Sequence, residues 1–201
     1  MAGGLFARLL VMFERYPKIM AISLQFGPQK MVLLADYFKK MPICQGNIRM
    51  DIDDRDRMIL RLLQQDGRIS NADLAEKVNL SASACLRRVR LLEEAGFIDR
   101  YAMLLNPKRI GKPGNAFVNI SIARQTRQAL EDFEREIQSV PEVVECYLLA
   151  GQSDYLVHVV YSNTSDYERI HSEVLTQLPG VERVQTVITL REVKRTTELP
   201  V

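Results

Sequence analysis

The stretch that decides the fold of the first half of the chain is residues 80–98, LSASACLRRVRLLEEAGFI. Ser81 can begin a helix, because its hydroxyl accepts a backbone N–H that has no helical partner, and Gly96 can adopt the left-handed conformation that ends one. The pattern predicts a helix that ends at Glu94 or Ala95. Its buried face is predicted from the apolar residues at helical spacing: Cys85, Leu86, Val89 and Leu92.

Two shorter helices are predicted before this one. The first contains apolar residues at helical spacing and ends near Gly67, and the second begins at Ser70 as N-cap and stops at Asn79. A break of four residues then separates the second helix from the third. This order and spacing are typical of a helix-turn-helix unit.

The outward face of the third helix repeats the same spacing with polar residues: Ser83, Arg87, Arg90 and Glu94. A recognition helix places small or hydroxyl-bearing residues of its first turns near base edges, and its longer cations reach bases or phosphates. On a lone helix such a stripe is usually only a solvated face. On the third helix of a short three-helix unit it predicts contact with DNA.

The second half predicts strands and helices in the order βαββαβ, which is typical of an α+β ferredoxin-like fold. A strand pair or wing is predicted at 97–98 and 101–105, followed by a linker at 108–114. A short hairpin is predicted at 151–154. The predicted strands are 116–122, 144–149, 155–161 and 184–190, and the predicted helices are 125–139 and 165–177. Helices would cover one face of the sheet, so the other face needs a partner.

Composition places the 201-residue chain among soluble globular proteins, with 47% hydrophobic and 26% charged residues. The apolar runs are too short for a membrane-spanning helix. Three cysteines without a Cys-x-x-Cys pair and two histidines give no zinc-site spacing, so we expect a reduced, metal-free, cytosolic protein. Cys85 and Cys146 are expected to be buried apolar residues. Residues 110–201 are net acidic, which assigns any nucleic-acid binding to the middle segment.

Residues 1–49 differ from the rest of the chain, because they are basic, poorly periodic and interrupted by proline and glycine. They are expected to be a dispensable extension or sequence upstream of the true start at Met50. An arm that packs on the following domain, and a transit or membrane-surface peptide, are the alternatives. The predicted organisation is an extension at 1–49, a winged helix-turn-helix at 50–107, a linker at 108–114 and a second domain at 115–201.

From Asp51 to Val201 the chain resembles the leucine-responsive regulatory protein family, the Lrp/AsnC or feast/famine transcription regulators. The first half carries the resemblance in its opening acidic helix, in Asp66-Gly67-Arg68, and in Leu80-Ser81-x-Ser83-x-Cys85-Leu86-x-Arg88-Val89. The second half carries it in Gly151-x-x-Asp154-Tyr155-Leu156, Leu178-Pro179-Gly180-Val181 and Glu192-Val193-Lys194. Residues 1–49 have no counterpart in the family.

The resemblance implies a regulator of amino-acid metabolism or transport genes that binds double-stranded DNA at a pseudo-palindromic operator. It implies homodimers formed through the sheets, which assemble further into tetramers or octamers, and small effectors, usually amino acids, in place of a cofactor. A two-fold dimer is also the commonest way to bury an uncovered sheet face. The implied location is the prokaryotic cytoplasm, at the nucleoid, without a membrane partner.

By analogy, DNA contact is expected at four residues of the third helix: Ser83, Arg87, Arg88 and Arg90. Phosphate contact at helix N-termini is expected at Ser70, Asn71 and Ser81, where free backbone amides favour anions. Ser81 has a capping role in either case.

The effector is expected at the hairpin that contains Gly151, Gln152, Ser153, Asp154 and Tyr155. Glycine lets a ligand approach closely, an aspartate can bind an amino group, and turn amides can bind a carboxylate. A tight turn needs the same residue types for its geometry alone. Thr186 and Thr189 on the final strand are weaker candidates.

Two other functions compete with a regulator. A tetrapyrrole-pathway enzyme of similar fold would need catalytic or ligating groups, and the isolated His158 and His171 do not indicate them, so we expect no catalytic residues. A non-specific architectural DNA-binding protein is the second alternative. It would bind with little dependence on DNA sequence and with a steep dependence on salt.

Overall fold

The computed structural model describes residues 52–201, which form two compact units. The helical unit contains residues 52–105 together with Glu192–Val201, and the sheet unit contains Asn106–Arg191. The expectations for residues 1–49 fall outside the described part of the chain. The last ten residues group with the helical unit, whereas the sequence analysis placed them at the end of the second domain.

Three helices form most of the helical unit: α1 (Asp54–Gln65), α2 (Asn71–Lys77) and α3 (Ala82–Glu94). Each begins at a side chain that accepts a backbone N–H. Asp53 and Asp56 make a reciprocal capping box at α1, while Ser70 and Ser81 cap α2 and α3 as predicted. Asn79 adopts a left-handed conformation, with φ 52°, directly after α2, which reverses the chain into the turn.

The core of the helical unit is small and apolar. Its buried residues are Ile59, Leu60, Leu74, Ala75, Val78, Cys85 and Leu92. The stripe of α3 predicted to face inward is confirmed at Cys85 and Leu92. Leu86 is an exception, because it is 40% exposed and lies at the edge of that face.

Of the two forms predicted for residues 97–105, a strand pair and an extended wing, the strand pair is not formed. The structure assigns no strand at residues 97–98 or 101–105, and all side chains from Tyr101 to Leu105 are exposed. A two-residue first strand is too short to hold a hairpin, and no other strand of the helical unit, as far as it is described, lies beside the segment.

The sheet unit has the predicted order βαββαβ. Its four strands form one antiparallel sheet in the spatial order β2-β3-β1-β4. The elements are β1 (Gly114–Ile122), α4 (Arg127–Ile137), β2 (Val143–Leu148), β3 (Tyr155–Tyr161), α5 (Thr164–Arg169) and β4 (Val181–Ile188). Turns occupy most of the predicted linker, and Gly114 already belongs to β1.

One face of this sheet packs on the helices. Ala116, Val118 and Ile120 alternate along β1 and are completely buried, as are Val157 and Val159 on β3. Side chains of a strand point alternately to its two faces, so this set defines the covered face. The residues between them lie on the second face, which no helix of the sheet unit, as described, covers.

The last helix and the last strand differ in detail from the prediction. After α5 the chain continues as a π-helical turn, Ile170–Val174, and a 3-10 turn, Leu175–Gln177. An α-helix would place residues five apart about 140° from each other, but the wider π turn lets Ile170 and Leu175 both point into the core, where both are fully buried. β4 begins three residues earlier than predicted, directly after Gly180, and Leu190 is exposed.

Candidate functional site

The outward face of α3 presents exposed polar and basic side chains. Ser83, Arg87 and Arg90 are exposed, with Ser83 in the first turn. Within the described residues, neither Arg87 nor Arg90 has a hydrogen-bond or ion-pair partner. Their guanidinium groups are therefore free to bind phosphates or bases. This is the surface that the sequence predicts for DNA.

Arg88 is used inside the helical unit. Its Nη1 lies 2.8 Å from Asp56 Oδ1 and 2.8 Å from Asp53 Oδ2. The pKa of Asp53 is lowered, first by the N–H of Asp56 and further by the Arg88 guanidinium, and the Asp56 carboxylate raises the pKa of Arg88. Arg88 thus ties α3 to the start of α1, a role that the sequence analysis missed. Its partners lie more than thirty residues upstream, beyond the range of any local pattern.

The residues expected at phosphates all have roles in the fold. The Ser70 hydroxyl accepts the N–H of Asp73 at 3.1 Å, and that of Ser81 accepts the N–H of Ala84 at 3.3 Å. Asn71 Nδ2 donates to the main-chain oxygen of Ala82 at 2.9 Å, which fixes the turn between α2 and α3. The structure shows these local roles, and phosphate contact stays a prediction.

The predicted effector hairpin joins β2 to β3, and its aspartate points inward. Asp154 is 3% exposed. Its carboxylate accepts the N–H of Ile122 at 2.8 Å and Nε2 of Gln125 at 2.9 Å, while its own N–H donates to the main-chain oxygen of Ile120 at 2.9 Å. Asp154 therefore fastens the hairpin to the end of β1. The structure shows this internal role of the carboxylate, and its contact with an effector stays a prediction.

Tyr155 is also an internal residue. It is 1% exposed, its ring lies 4.4 Å from that of Phe133, and its hydroxyl donates to Glu134 Oε1 at 2.8 Å. Burial, followed by the hydrogen bond to Glu134, raises the pKa of Tyr155 well above its usual range. Direct contact of Tyr155 with an effector likewise stays a prediction. Gly151, Gln152 and Ser153 are the hairpin residues that reach the surface.

The two threonines do not share a site with the hairpin. The Thr186 hydroxyl is hydrogen-bonded to the hydroxyl of Tyr167, and Thr189 follows β4, with its N–H bonded to the main-chain oxygen of Asn115. β3 and β4 both pair antiparallel with β1, so the start of β3 and the end of β4 lie at opposite ends of the sheet. Their partners on β1, Ile120 and Ala116, are four positions apart, which is about 13 Å. One chain therefore does not bring Thr189 to the hairpin, because the strand order separates them.

The uncovered sheet face combines apolar residues with a polar centre. Phe117, Tyr147 and Val187 are exposed there. The ring of His158 stacks on Phe117 with centroids 4.7 Å apart, and its Nε2 is 3.0 Å from Asn115 Oδ1. The sequence predicts an uncovered face but not these contacts, which depend on strand register.

A charged cluster stabilises the start of α5. The Asp166 carboxylate accepts the N–H and the hydroxyl of Ser162 at 2.9 and 2.7 Å and also binds Arg169 and Lys112. These contacts, the Ser162 N–H first, lower the pKa of Asp166 strongly. Arg169 also binds Glu142 at 2.6 Å and lowers its pKa. Through Lys112, this cluster joins the predicted linker to the start of α5.

Three further features of residues 52–201 bear on other kinds of site: the grouping of possible metal ligands, the length of apolar helices and the state of the thiols. No three or more His, Cys, Asp or Glu side chains there are grouped so that they could hold a metal ion. No helix in that part of the chain is long and apolar enough to cross a membrane. Cys85 is fully buried and Cys146 is half-buried, and burial raises the pKa of both thiols, that of Cys146 to about 11.

Comparisons with known proteins match both halves of the chain. The family model described as a winged helix-turn-helix DNA-binding domain matches residues 52–99. The model of the Lrp/AsnC ligand binding domain matches residues 115–199. The leucine-responsive regulatory protein of Escherichia coli K12 is 41% identical over 149 residues, which cover 74% of this chain and 91% of that protein.

Solved structures agree with the sequence comparison. A transcriptional regulator from Neisseria meningitidis, solved as a complex with L-Met, is 38% identical with a TM-score of 0.71, and the match covers 74% of this chain and 96% of that one. An AsnC family regulator from Agrobacterium tumefaciens is 36% identical with a TM-score of 0.71, over 74% and 97% of the two chains. The two family models and the 41% identity to the leucine-responsive regulatory protein show that this protein belongs to the Lrp/AsnC family of transcriptional regulators.

Proposed function

We propose that the chain binds a pseudo-palindromic operator as a homodimer, with α3 in the major groove, and that an amino acid changes this binding. The observation that carries the proposal is the outward face of α3, where Ser83, Arg87 and Arg90 are exposed and the two arginines have no partner among the described residues. A dimer would present two such helices to half-sites about one helical turn, or a multiple of it, apart.

The three arginines of α3 have two different roles. Arg87 and Arg90 contact the DNA, whereas Arg88 acts by holding α3 against Asp53 and Asp56. Ser70, Asn71 and Ser81 lie at the starts of α2 and α3 and bring backbone amides to phosphates.

The dimer forms through the uncovered sheet face. Exposed apolar side chains beside the stacked pair of Phe117 and His158 support this, because burial against a second copy removes them from water. Further association of dimers gives tetramers or octamers.

The effector is an amino acid bound at the hairpin surface, by the main chain of Gly151, Gln152 and Ser153. Asp154 and Tyr155 support that surface from inside. The L-Met complex of the Neisseria meningitidis regulator supports an amino-acid ligand. The same proposal makes the protein a regulator rather than an enzyme, without cofactor, acting on nucleoid DNA in a prokaryotic cytoplasm.

A competition binding experiment tests the proposal. The full chain is titrated into DNA from upstream of its own gene at physiological salt, with excess unrelated DNA, with and without L-methionine or L-leucine. We expect specific binding that Arg87→Ala weakens by about 1–3 kcal/mol if Arg87 contacts a guanine. Arg135→Ala is the matched control, because this exposed arginine lies on α4 in the sheet unit.

Three outcomes would count against the proposal. Binding that unrelated DNA abolishes, together with a steep salt dependence, would instead indicate the architectural alternative. Equal affinity of Arg87→Ala and Arg135→Ala would remove α3 as the contact surface. An unchanged affinity in the presence of every one of the twenty amino acids, tested singly, would remove the effector assignment.

A further inference from the structure

The segment Glu192–Val201, here called the strap, is attached to the helical unit although it follows the last strand of the sheet unit. Its side chains up to position 200 are exposed, so it has no apolar core of its own. Val201 is half-buried and packs against the core of the helical unit. What holds the strap is therefore mainly its backbone.

Two side chains of α1 bind that backbone. Gln64 Nε2 donates to the main-chain oxygen of Leu199 at 3.0 Å, and the N–H of Leu199 donates to Gln64 Oε1 at 2.6 Å. A single amide thus satisfies both backbone groups of one residue, as a neighbouring strand would. Arg61 Nε donates to the main-chain oxygen of Val201 at 2.7 Å.

The face of α1 that binds the strap is selective. Arg61 and Gln64 are three residues apart, so they lie side by side on the helix. Within the described chain, the adjacent Gln65 and the preceding Arg57 make no hydrogen bond to the strap. Helix α1 therefore supplies one arginine and one glutamine that bind the strap, Arg61 and Gln64, and one of each that does not.

The strap gives the helical unit a second covalent connection to the sheet unit. The first connection is the segment that follows Leu105, and the second leaves β4 after Ile188 and reaches α1 at Gln64. The start of the same helix α1 holds Arg88 of the recognition helix through Asp53 and Asp56. The connection from β4 to α3 therefore consists of the covalent chain as far as Leu199, the contacts of Gln64 and Arg61 with the strap, and the contacts of Asp53 and Asp56 with Arg88.

We propose that the strap is a coupling element: it transmits the state of β4 to the recognition helix through Gln64 and Arg61. This inference rests on the proposed function of α3. A strap that only stabilised the helical unit would affect its folding but would not connect β4 with α3. The two roles predict different effects when the strap is detached from α1. Transmission requires a change both in β4 and in α3, whereas stabilisation alone requires a change only in the helical unit.

Hydrogen exchange on the full chain separates the two roles without any ligand. Gln64→Ala is compared with Gln65→Ala, and Arg61→Ala with Arg57→Ala. For Gln64→Ala we expect exchange of the Leu199 N–H to accelerate at least about tenfold, because this N–H loses its acceptor. For both the Gln64 and the Arg61 variants we expect exchange to accelerate at 186–190 and at 82–90. Unchanged exchange of the Leu199 N–H in Gln64→Ala would show that the strap does not dock. Acceleration confined to the strap and α1 would overturn coupling.

Operator binding then tests whether the coupling serves regulation. The ratio of operator dissociation constants with and without L-methionine or L-leucine is measured for the same four variants. We expect Gln64→Ala to lose about fivefold or more of the ligand-induced change while still binding the operator, since allosteric coupling is typically of that size or larger. An unchanged ratio in Gln64→Ala would overturn the proposal.

Failure of the proposed function would look different. Loss of specific DNA binding by the unmodified chain, or the absence of any amino-acid response, would contradict the function assigned to α3 or to the hairpin. The exchange measurement would still decide the strap, because it needs neither DNA nor ligand.

Discussion

The helical unit and the sheet unit use their polar residues in opposite ways. In the helical unit, Ser83, Arg87 and Arg90 are exposed, and within the described residues neither arginine has a hydrogen-bond or ion-pair partner. In the sheet unit, Asp154 and Tyr155 point inward and complete the core. The first unit therefore presents its functional side chains directly. In the second unit, Asp154 and Tyr155 support the hairpin from inside, while the surface of the hairpin is formed by residues 151–153.

The two units also differ in the size of their cores. Seven buried apolar residues hold the helical unit, whereas thirteen buried residues hold the sheet unit, among them Phe133 and Tyr155. Because hydrophobic stabilisation grows with the area buried, the helical unit is expected to be the less stable of the two. It depends correspondingly more on its helix caps and on the Arg88 ion pairs.

The largest effect is expected from removing a side chain of the smaller core. Leu92 is 1% exposed on α3, and Leu92→Ala should cost about 2–5 kcal/mol, because it removes buried area and leaves a cavity. Leu91→Ala is the matched control, since the preceding leucine is 41% exposed. Urea unfolding combined with hydrogen exchange in peptides of each unit measures the loss. Equal costs for the two leucines would contradict the assigned core.

A smaller effect is expected from the aspartate of the hairpin. Asp154→Ala leaves the N–H of Ile122 buried without its acceptor, so we expect about 1–3 kcal/mol of destabilisation in the sheet unit. The helical unit should exchange at its usual rate. Asp132→Ala removes an exposed carboxylate of α4 and serves as control. If Asp154→Ala were fully stable and had lost only amino-acid binding, Asp154 would be a ligand contact rather than a structural residue.

The helical unit was predictable from its sequence because its signals are local. The caps Ser70 and Ser81 lie within three residues of the N–H groups they accept, and Asn79 reverses the chain where its residue type indicates. A cap forms wherever the helix forms, so the helix starts follow from residue type. Arg88 is the exception, because its partners on α1 are near only after the three helices have packed.

The sheet unit was predictable in its order of elements but not in its site. Glycine and aspartate at 151–154 correctly indicate a hairpin, but only the pairing of β3 with β1 shows that Asp154 points inward. The separation of Thr189 from the hairpin follows from the strand order, which depends on contacts between distant parts of the chain. The strap contact also joins residues about 135 positions apart. No local pattern encodes that distance.

Replacing Arg88 distinguishes its role from that of Arg87 on the same helix. Arg88→Ala should cost about 1 kcal/mol, because its ion pairs are partly open to solvent, and it should weaken DNA binding by loosening α3. Arg87→Ala should weaken DNA binding with no loss of stability. Thermal unfolding and operator titration of both variants separate the roles. If Arg88→Ala kept full stability and still lost specific binding, Arg88 would be a direct DNA contact instead.

The smallest effect is a pH dependence confined to the sheet unit. The pKa of Asp166 is lowered by the Ser162 N–H and by Arg169, so its contribution to stability is complete above the unfolded-state pKa of about 3.9 and is lost as the pH falls below that value. We expect Asp166→Asn to have a lower Tm at pH 7 and a shallower fall in Tm between pH 6 and pH 3 than the unmodified chain. Asp132→Asn serves as control.

Glu142 should add to the same acid sensitivity, because Arg169 lowers its pKa as well. The double variant Asp166→Asn, Glu142→Gln should therefore flatten the pH dependence further than either change alone, since both carboxylates share one guanidinium. Hydrogen exchange at pH 3, below the unfolded-state pKa values of about 3.9 and 4.3 for the two carboxyls, would show where stability is lost. If the acid-sensitive carboxylates are those of the sheet unit, exchange should accelerate first in peptides that contain Ser162 and α5. Loss in α1 first would instead identify Asp53, whose pKa is lowered by the Asp56 N–H and by Arg88, as the main acid-sensitive group.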